Sequence, residues 1–402
     1  MGSIWSWKSN WLENGNGLLY NERMHEKLRM TTDRKLRVGV IYGGRSGEHE
    51  ISLLSARSVL AALDAEKYDV TEVAITHDGS WLAGDNLLQL MSDGHYNSLH
   101  PVALFPDPTL PGIFVLKSQH QGAILELLAH LDVVFPVLHG TFGEDGTIQG
   151  LFEMANLAFV GAGVLGSSVG MDKGLFKDVM HSNDVPVLEY VIVLRKDIEA
   201  DLEHVLDRAE RLAPYPLFVK PANLGSSVGI SKCKSRSDLI EGLMDAARYD
   251  RRILVERGVN GREIEISVLG NDDPIASVPG EIIPAAEFYS YDAKYHDDRS
   301  QLLIPAPISQ AMVKQIQEVA IRAYKAIDCA GMARVDFLLD KDTNLLYLNE
   351  LNTIPGFTRI SMYPKLWNAS GISYPQLVDR LIELALERKS ERDRTEHRFH
   401  RS

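Results

Sequence analysis

Stretches of β-type apolar residues that alternate with helix-periodic ones dictate the architecture open to this chain. Leu36-Arg37-Val38-Gly39-Val40-Ile41-Tyr42 is such a run, and Gly43-Gly44 breaks it. From about Ile51 to Leu63, the apolar Leu53, Leu54, Val59, Leu60 and Leu63 supply one face of a helix. Tyr68 to Ile75 predicts a second strand and Asp132 to Leu138 a third. Strands separated by helices predict a parallel, doubly wound sheet. The intervening 78–120 region, rich in Gly, Pro, Asp and His, reads as an irregular insertion. A second α/β segment runs from about Gly161 to Val255, with strands predicted at Tyr190–Leu194 and Pro216–Lys220. A third runs from about Glu256 to Arg388, with predicted strands Glu263–Leu269, Arg334–Leu339 and Leu345–Glu350 and helices near Gln310–Ile327 and Tyr374–Leu386.

The 402 residues give room for three domains, predicted at 35–160, 161–255 and 256–388. Residues 1–34 read as a disordered or mis-assigned extension, with Met24 or Met30 as the expected start. The polar tail 389–402 is expected to be disordered, with fraying from Glu387 onward. A net charge of −13 argues against a nucleic-acid binder, which needs clustered Lys and Arg. It leaves room for a nucleotide in a local pocket. Cys233 and Cys329 are far apart and lack metal-site spacing, so they read as core residues of a reducing compartment. No run approaches the ~20 apolar residues of a membrane span, and a cytoplasmic location is expected.

The segments Arg334-Val335-Asp336 and Glu350-Leu351-Asn352 carry the most chemistry. Alternation along a strand puts Arg334 with Asp336, and Glu350 with Asn352, on one face each. Adjacent strands then assemble two carboxylates and a carboxamide, an all-oxygen set suited to Mg²⁺. Lys220, followed by Pro221 to Gly229, places a lysine before a loop of small residues, which suits nucleotide phosphates. It is not a P-loop, because the lysine precedes the glycines. Gly43 to Glu48 opens a helix but fails the dinucleotide fingerprint; its helix N-terminus favours a carboxylate, and Glu48 an ammonium. His139 to Gly146 is a comparable loop, Tyr291 to His296 has the composition of a lid, and Asn352 to Thr358 carries a Pro-Gly turn.

Taken together, these segments closely resemble the D-alanine–D-alanine ligases of the ATP-grasp superfamily. The resemblance covers roughly residues 36–388. Its motifs run in order through Gly-Gly-x-Ser-x-Glu-His-Glu (43–50), His-Gly-x-x-Gly-Glu-Asp-Gly (139–146) and Met171-Asp172-Lys173. They continue through Val-Lys-Pro with Gly-Ser-Ser-Val-Gly (219–229), Ala-Lys-Tyr (293–295), Arg-Val-Asp (334–336) and Glu-x-Asn-Thr-x-Pro-Gly (350–356). The fold it implies is an N-terminal Rossmann-like substrate domain followed by central and C-terminal α+β subdomains that grasp ATP. The implied co-substrate is ATP, with two Mg²⁺ ions for which Mn²⁺ can substitute. The implied partners are two D-alanine molecules and a second copy of the chain.

The resemblance also implies roles for individual residues. Lys173 and Lys220 would hold ATP phosphates, Glu256, Arg257 and Val259 would line the adenine cleft, and Glu263 would take the ribose. Asp336, Glu350 and Asn352 would bind the metal ions. Glu48 would anchor the first D-alanine's ammonium, with His139 near its carboxylate. Ser226 and Tyr295 would join Glu48 in a hydrogen-bonded set, and Lys294 would approach the γ-phosphate. Arg334 and the Gly356 N–H would stabilise oxyanions, while Ser361 would hold the second carboxylate. Tyr295 favours an amine as the second nucleophile, since relatives that use D-lactate resemble this chain but tend to replace that tyrosine. The competing readings are a D-lactate or D-serine ligase and, in another class, a non-catalytic nucleotide-binding regulator on the same scaffold.

Overall fold

The computed structural model describes residues 34–119, 122–225, 228–284 and 301–396. Three sheets organise them. The first contains β1 (Leu36–Gly43), β2 (Tyr68–Ile75), β3 (Trp81–Ala83), β4 (His100–Leu104), β5 (Gly112–Gln119), β6 (Gly122–His130), β7 (Val133–Val137) and β8 (Ala158–Phe159). Its order is β6-β5-β4-β3-β2-β1-β7-β8. Only β2, β1, β7 and β8 are parallel, in a register that sets Val38 beside both Val70 and Val133. The alternation of Val38 and Val40 buries one face of β1 with Phe135 and with Leu53, Ala56 and Val59 of the His49–Leu60 helix.

The remainder of that sheet corrects two expectations. The 78–120 region is not irregular, and the sheet is mixed. β3 to β6 add antiparallel strands to the edge of β2. Val102, Leu104, Ile113 and Val115 are buried with Ile41 and Val73, so a minority of apolar residues suffices to seat the extension. The surrounding Gly, Pro and Asp serve the short turns and hide that pattern from a compositional reading.

The second sheet is antiparallel, ordered β11-β10-β12-β9, with β9 Tyr190–Leu194, β10 Leu217–Pro221, β11 Ser231–Cys233 and β12 Arg252–Arg257. The third is antiparallel as well: β13 (Gly261–Gly270), β14 (Ile275–Ala276), β15 (Gly280–Ile283), β16 (Gln301–Leu303), β17 (Gly331–Asp340) and β18 (Leu346–Asn352). Cys233 and Cys329 are both buried and unbridged. Among the described residues, no helix is long and apolar enough to cross a membrane.

The C-terminal helix, Tyr374–Arg392, returns to the first sheet. Ser373 and Gln376 form a capping box at its start. Leu377, Val378 and Leu381 then pack with Val133, Phe135 and Ala158. The expected fraying from Glu387, and the disorder expected from 389, are corrected over the described part, because the helix continues to Arg392. Arg388 explains the difference. Its guanidinium donates to Gly161 O at 2.5 Å and Phe159 O at 3.2 Å, and lies 4.1 Å from the Phe159 ring. Arg392 pairs with Glu153 one turn later. Residues 1–33 and 397–402 lie outside the described residues. Charge-assisted hydrogen bonds of this kind contribute about 2 kcal/mol. Arg388→Met should therefore lower the thermal unfolding midpoint by several degrees, and an unchanged midpoint in a melting experiment would contradict this anchoring role.

Candidate active site

The antiparallel register of β17 and β18 sets Arg334 opposite Asn352 and Asp336 opposite Glu350. Arg334 forks onto Asp336 through Nε (2.8 Å) and Nη2 (2.6 Å), and its Nε lies 3.0 Å from Glu265 of β13. Burial alone would lower the guanidinium's pKa, but Asp336 and Glu265 reverse that and hold it well above its ordinary value. The Asn352 amide donates to Asp336 at 3.1 Å and Glu350 at 3.5 Å. Turning that amide over presents its oxygen beside the two carboxylates. Three hard oxygen donors then converge on the cleft, and this set fits Mg²⁺, which takes oxygen ligands and retains water.

A bulge accompanies this pairing. Asp336 is opposite Glu350, yet the next residue, Phe337, is opposite Leu348, so Asn349 is the extra residue. Bulges re-aim side chains, and here the Asn349 Oδ1 lies 3.4 Å from Lys220 Nζ. Lys220 also reaches Glu256 on the neighbouring strand at 2.6 Å. Glu256 is almost wholly buried; burial would raise its pKa, but Lys177 and Lys220 hold the carboxylate down at about 2. Arg257 and Val259 continue past Glu256. Arg257 pairs with Glu189 at 2.5 Å and lies over Tyr347, while Val259 is half-buried. Glu263 sits on β13 between Ile282 and Leu338.

Lys173 begins the Lys173–Ser182 helix. Asp172 caps that helix, accepting from the N–H groups of Gly174 (3.1 Å) and Leu175 (2.9 Å). The cap fixes the lysine, whose Nζ donates to Leu224 O at 2.6 Å. Burial lowers its pKa, with Glu350 acting in the opposite direction.

Two loops of the first sheet close the other side. His139 Nδ1 lies 3.0 Å from Ile354 O, and Nε2 lies 2.9 Å from Ser55 Oγ, which also accepts from Phe357 N–H. The tautomer with its proton on Nδ1 satisfies all three bonds. Glu144 accepts from Gly140 N–H at 2.7 Å and Ile354 N–H at 3.3 Å. Burial first, and the Glu48 charge second, push the Glu144 carboxyl up to about 8. Gly140 has φ +74°, and a Cβ there would lie 2.6 Å from Ser46 Oγ, so only glycine allows this approach of the two loops. Ser361 Oγ accepts from Thr358 N–H at 3.1 Å, and a Cβ on Gly356 would meet it at 2.9 Å.

Glu48, His139, Lys173, Arg334, Glu350, Asn352 and Gly356 line one narrow cleft. Asp336 is bound to its wall through Arg334 and Asn352, and Lys220 with Glu256 forms a neighbouring cluster. Ser361 is not among the lining residues and meets the cleft through Gly356. Ser226, Lys294 and Tyr295 lie outside the described residues.

Family models for the D-ala D-ala ligase N-terminus and C-terminus match residues 37–162 and 179–383. The D-alanine–D-alanine ligase of Heliobacterium modesticaldum is 52% identical over 360 residues, covering 90% of this chain and 97% of that protein. The chain belongs to the D-alanine–D-alanine ligase family. The solved D-alanine–D-alanine ligase from Coxiella burnetii is 40% identical, with a TM-score of 0.75 over 89% of this chain and 96% of that one. The VanG D-Ala:D-Ser ligase from Enterococcus faecalis is 34% identical, with a TM-score of 0.77 over 88% of this chain and all (100%) of that one. The fold is that of the ATP-grasp ligases, with a mixed N-terminal sheet before two antiparallel ones.

Sequence reasoning missed two groups in this family member. Lys177, one helical turn after Lys173, is almost fully buried and paired with Glu256. Only its i+4 spacing from Lys173 hinted that both face the sheet. Glu144 was quoted within its motif but given no role. Lys177→Met would leave Lys220 as the only ion-pair partner of Glu256 in this buried cluster, drawing it from the cleft. The expected result is a roughly tenfold rise in KM for ATP with a smaller change in kcat; an unchanged KM in steady-state assays would refute this positioning role.

Because the Glu144 pKa is raised in the folded state, its stabilising contribution is complete below its ordinary value of 4.5 and is lost as pH rises through about 8. From this group the ligand-free protein should melt at progressively lower temperature from about pH 4.5 to about pH 8, with the decline levelling off above that. Glu48→Gln, which removes the second-largest cause, should make that decline end at a lower pH and so be smaller in total; an end point equal to the wild type's would disprove the coupling.

Proposed function

We propose that this chain joins two D-alanines to D-alanyl-D-alanine, with cleavage of ATP to ADP and phosphate, for peptidoglycan precursor synthesis. A carboxylate is a poor electrophile. Transfer of the γ-phosphoryl group to the first D-alanine gives D-alanyl phosphate, whose phosphate is a good leaving group. The second D-alanine's deprotonated amine then attacks the acyl carbon and expels phosphate. Phosphoryl transfer of this kind requires chiefly positioning and charge neutralisation.

The residues divide that work. Lys173 and Lys220 take the triphosphate, and Glu256, Arg257, Val259 and Glu263 the nucleoside. Asp336, Glu350 and Asn352 hold two Mg²⁺ ions, or Mn²⁺ in their place, which neutralise phosphate charge. Glu48 binds the first ammonium. His139, whose ring is already engaged by Ser55 and Ile354, orients that subsite by fixing the loops rather than by a free nitrogen. Arg334 and the Gly356 N–H face developing oxyanions, and Ser361 takes the second carboxylate. Ser226 and Tyr295 join Glu48 in closing the loop, and Lys294 approaches the γ-phosphate. A cytoplasmic location follows from the use of ATP. A homodimer is supported by the edge strand β6, where Ile124, Leu125, Leu127 and Leu128 are all exposed.

The observation that carries this reading is the convergence of Asp336, Glu350 and Asn352 around Arg334, at the wall of the cleft that Lys173 and Glu48 also line. ADP release should require Mg²⁺ and D-alanine and should not be supported by L-alanine. Asp336→Asn and Glu350→Gln should each lower kcat by at least about a hundredfold while leaving circular dichroism unchanged. Turnover near the wild-type level in both variants would sink the metal assignment. Product analysis with D-lactate or D-serine as the acceptor decides between D-alanine and the two alternative second substrates.

A further inference from the structure

A second set of metal-ligating side chains lies behind Glu48, outside the cleft chemistry. The next residue, His49, is buried, and its Nδ1 lies 2.9 Å from Gly44 O. With Nδ1–H donating to that carbonyl, the lone pair is on Nε2. The ring stacks on His77, from the turn after β2, with centroids 3.8 Å apart and planes inclined by 25°. Glu50 Oε1 is 3.5 Å from His77 Nε2. One ligand atom from each of His49, Glu50 and His77 lies within 4.8 Å of the other two; among the described residues this is the one His/Cys/Asp/Glu group of three with that property.

We propose that His49, Glu50 and His77 form a binding site for a transition-metal ion of the zinc class, separate from the oxygen-donor site for magnesium. Two imidazoles and one carboxylate are a borderline-soft set with an open fourth position for water, which suits Zn²⁺ and not Mg²⁺. The carbonyl of Gly44 supplies the outer hydrogen bond that fixes a ligating histidine's tautomer and orientation. Tetrahedral bonds of about 2.0–2.2 Å place donors about 3.4 Å apart, so the three atoms must close by roughly an ångström, and the His77 ring must turn out of its stack on His49 to aim its in-plane lone pair at the same ion. Glu50 and His77 are mostly exposed and can make that movement, while His49 stays fixed in the core. A bound ion ties the turn after β2 to the first turn of the helix that follows Glu48.

The test uses the full chain, stripped with chelator and then saturated with Mg²⁺ and ATP so that the oxygen site is filled. Titration with Zn²⁺ by calorimetry should show one equivalent bound with micromolar or better affinity. His77→Ala and Glu50→Gln should each weaken it at least tenfold. Co²⁺ in place of Zn²⁺ should give the strong visible absorption of a tetrahedral or five-coordinate site in the wild type and lose it in His77→Ala. Both variants should keep wild-type turnover with Mg²⁺ and D-alanine in chelator-treated buffer. The proposal is overturned if wild type binds Zn²⁺ no more tightly than His77→Ala, or if the Co²⁺ spectrum is the same in both. Ligase activity is read separately, so loss of the zinc site leaves the proposed D-alanine chemistry standing.

Discussion

The guanidinium of Arg334 is the constraint around which the cleft is built. It lies between Asp336 and Glu265 with Glu350 close by, all on the two strands β13 and β17 and their neighbour β18. Without that charge, buried carboxylates would face one another uncompensated, which costs several kcal/mol for a broken buried pair. Strand geometry makes the arrangement obligatory. Arg334 and Asp336 are two residues apart and share a face, and the antiparallel register delivers Glu350 and Asn352 to the same place. A one-residue slip would send every donor to the opposite face.

Precision elsewhere comes from loops locked by single polar groups. The 139–146 loop and the 352–358 loop belong to different sheets. His139 and Glu144 both bond to Ile354, one to its carbonyl and the other to its N–H. Ser55, from the first helix, joins the same knot through His139 and Phe357. The backbone of Gly356 is thereby held at a fixed distance from Glu48, although no regular element connects them. Glu144 keeps its proton more readily than an ordinary carboxyl, first because it is buried and second because the Glu48 charge lies close to it.

Much of this was legible in the residues. Period-two alternation at Arg334/Asp336 and Glu350/Asn352 gave the shared face, and strands such as Tyr68–Ile75 and Tyr190–Leu194 stand where their β-branched and aromatic runs put them. What escaped was whatever depends on long-range packing. The bulge at Asn349 leaves no mark in local propensity, yet it turns a carboxamide toward Lys220. Lys177 is burial-dependent: nothing in its helix says that Glu256 awaits it 79 residues later. The 78–120 strands were hidden because buried apolar residues such as Val102, Leu104, Ile113 and Val115, scattered among turn formers, do not make a conspicuous pattern. The helix past Glu387 was hidden because its charged residues bond to carbonyls 227–235 positions away.

On the function proposed above, the basic cluster is what would let a chain of net charge −13 take a triphosphate. Lys173 and Lys177 are buried enough for desolvation to disfavour their charge, and each is opposed by nearby ammonium as well as helped by carboxylate. Glu256 satisfies Lys177 and Lys220 together, while among the described residues Lys173 donates to the backbone carbonyl of Leu224. Around this cluster the cations are under-compensated locally even though the surface as a whole is acidic. Electrostatic energy in a low-dielectric cleft follows the nearest charges, not the sum over the molecule. A multivalent anion is the species that best relieves three clustered ammonium groups. A divalent cation is the species that best relieves Asp336 and Glu350 a few ångströms away. A metal–triphosphate complex meets both demands at once, which is why neither half of the site is electrostatically complete on its own.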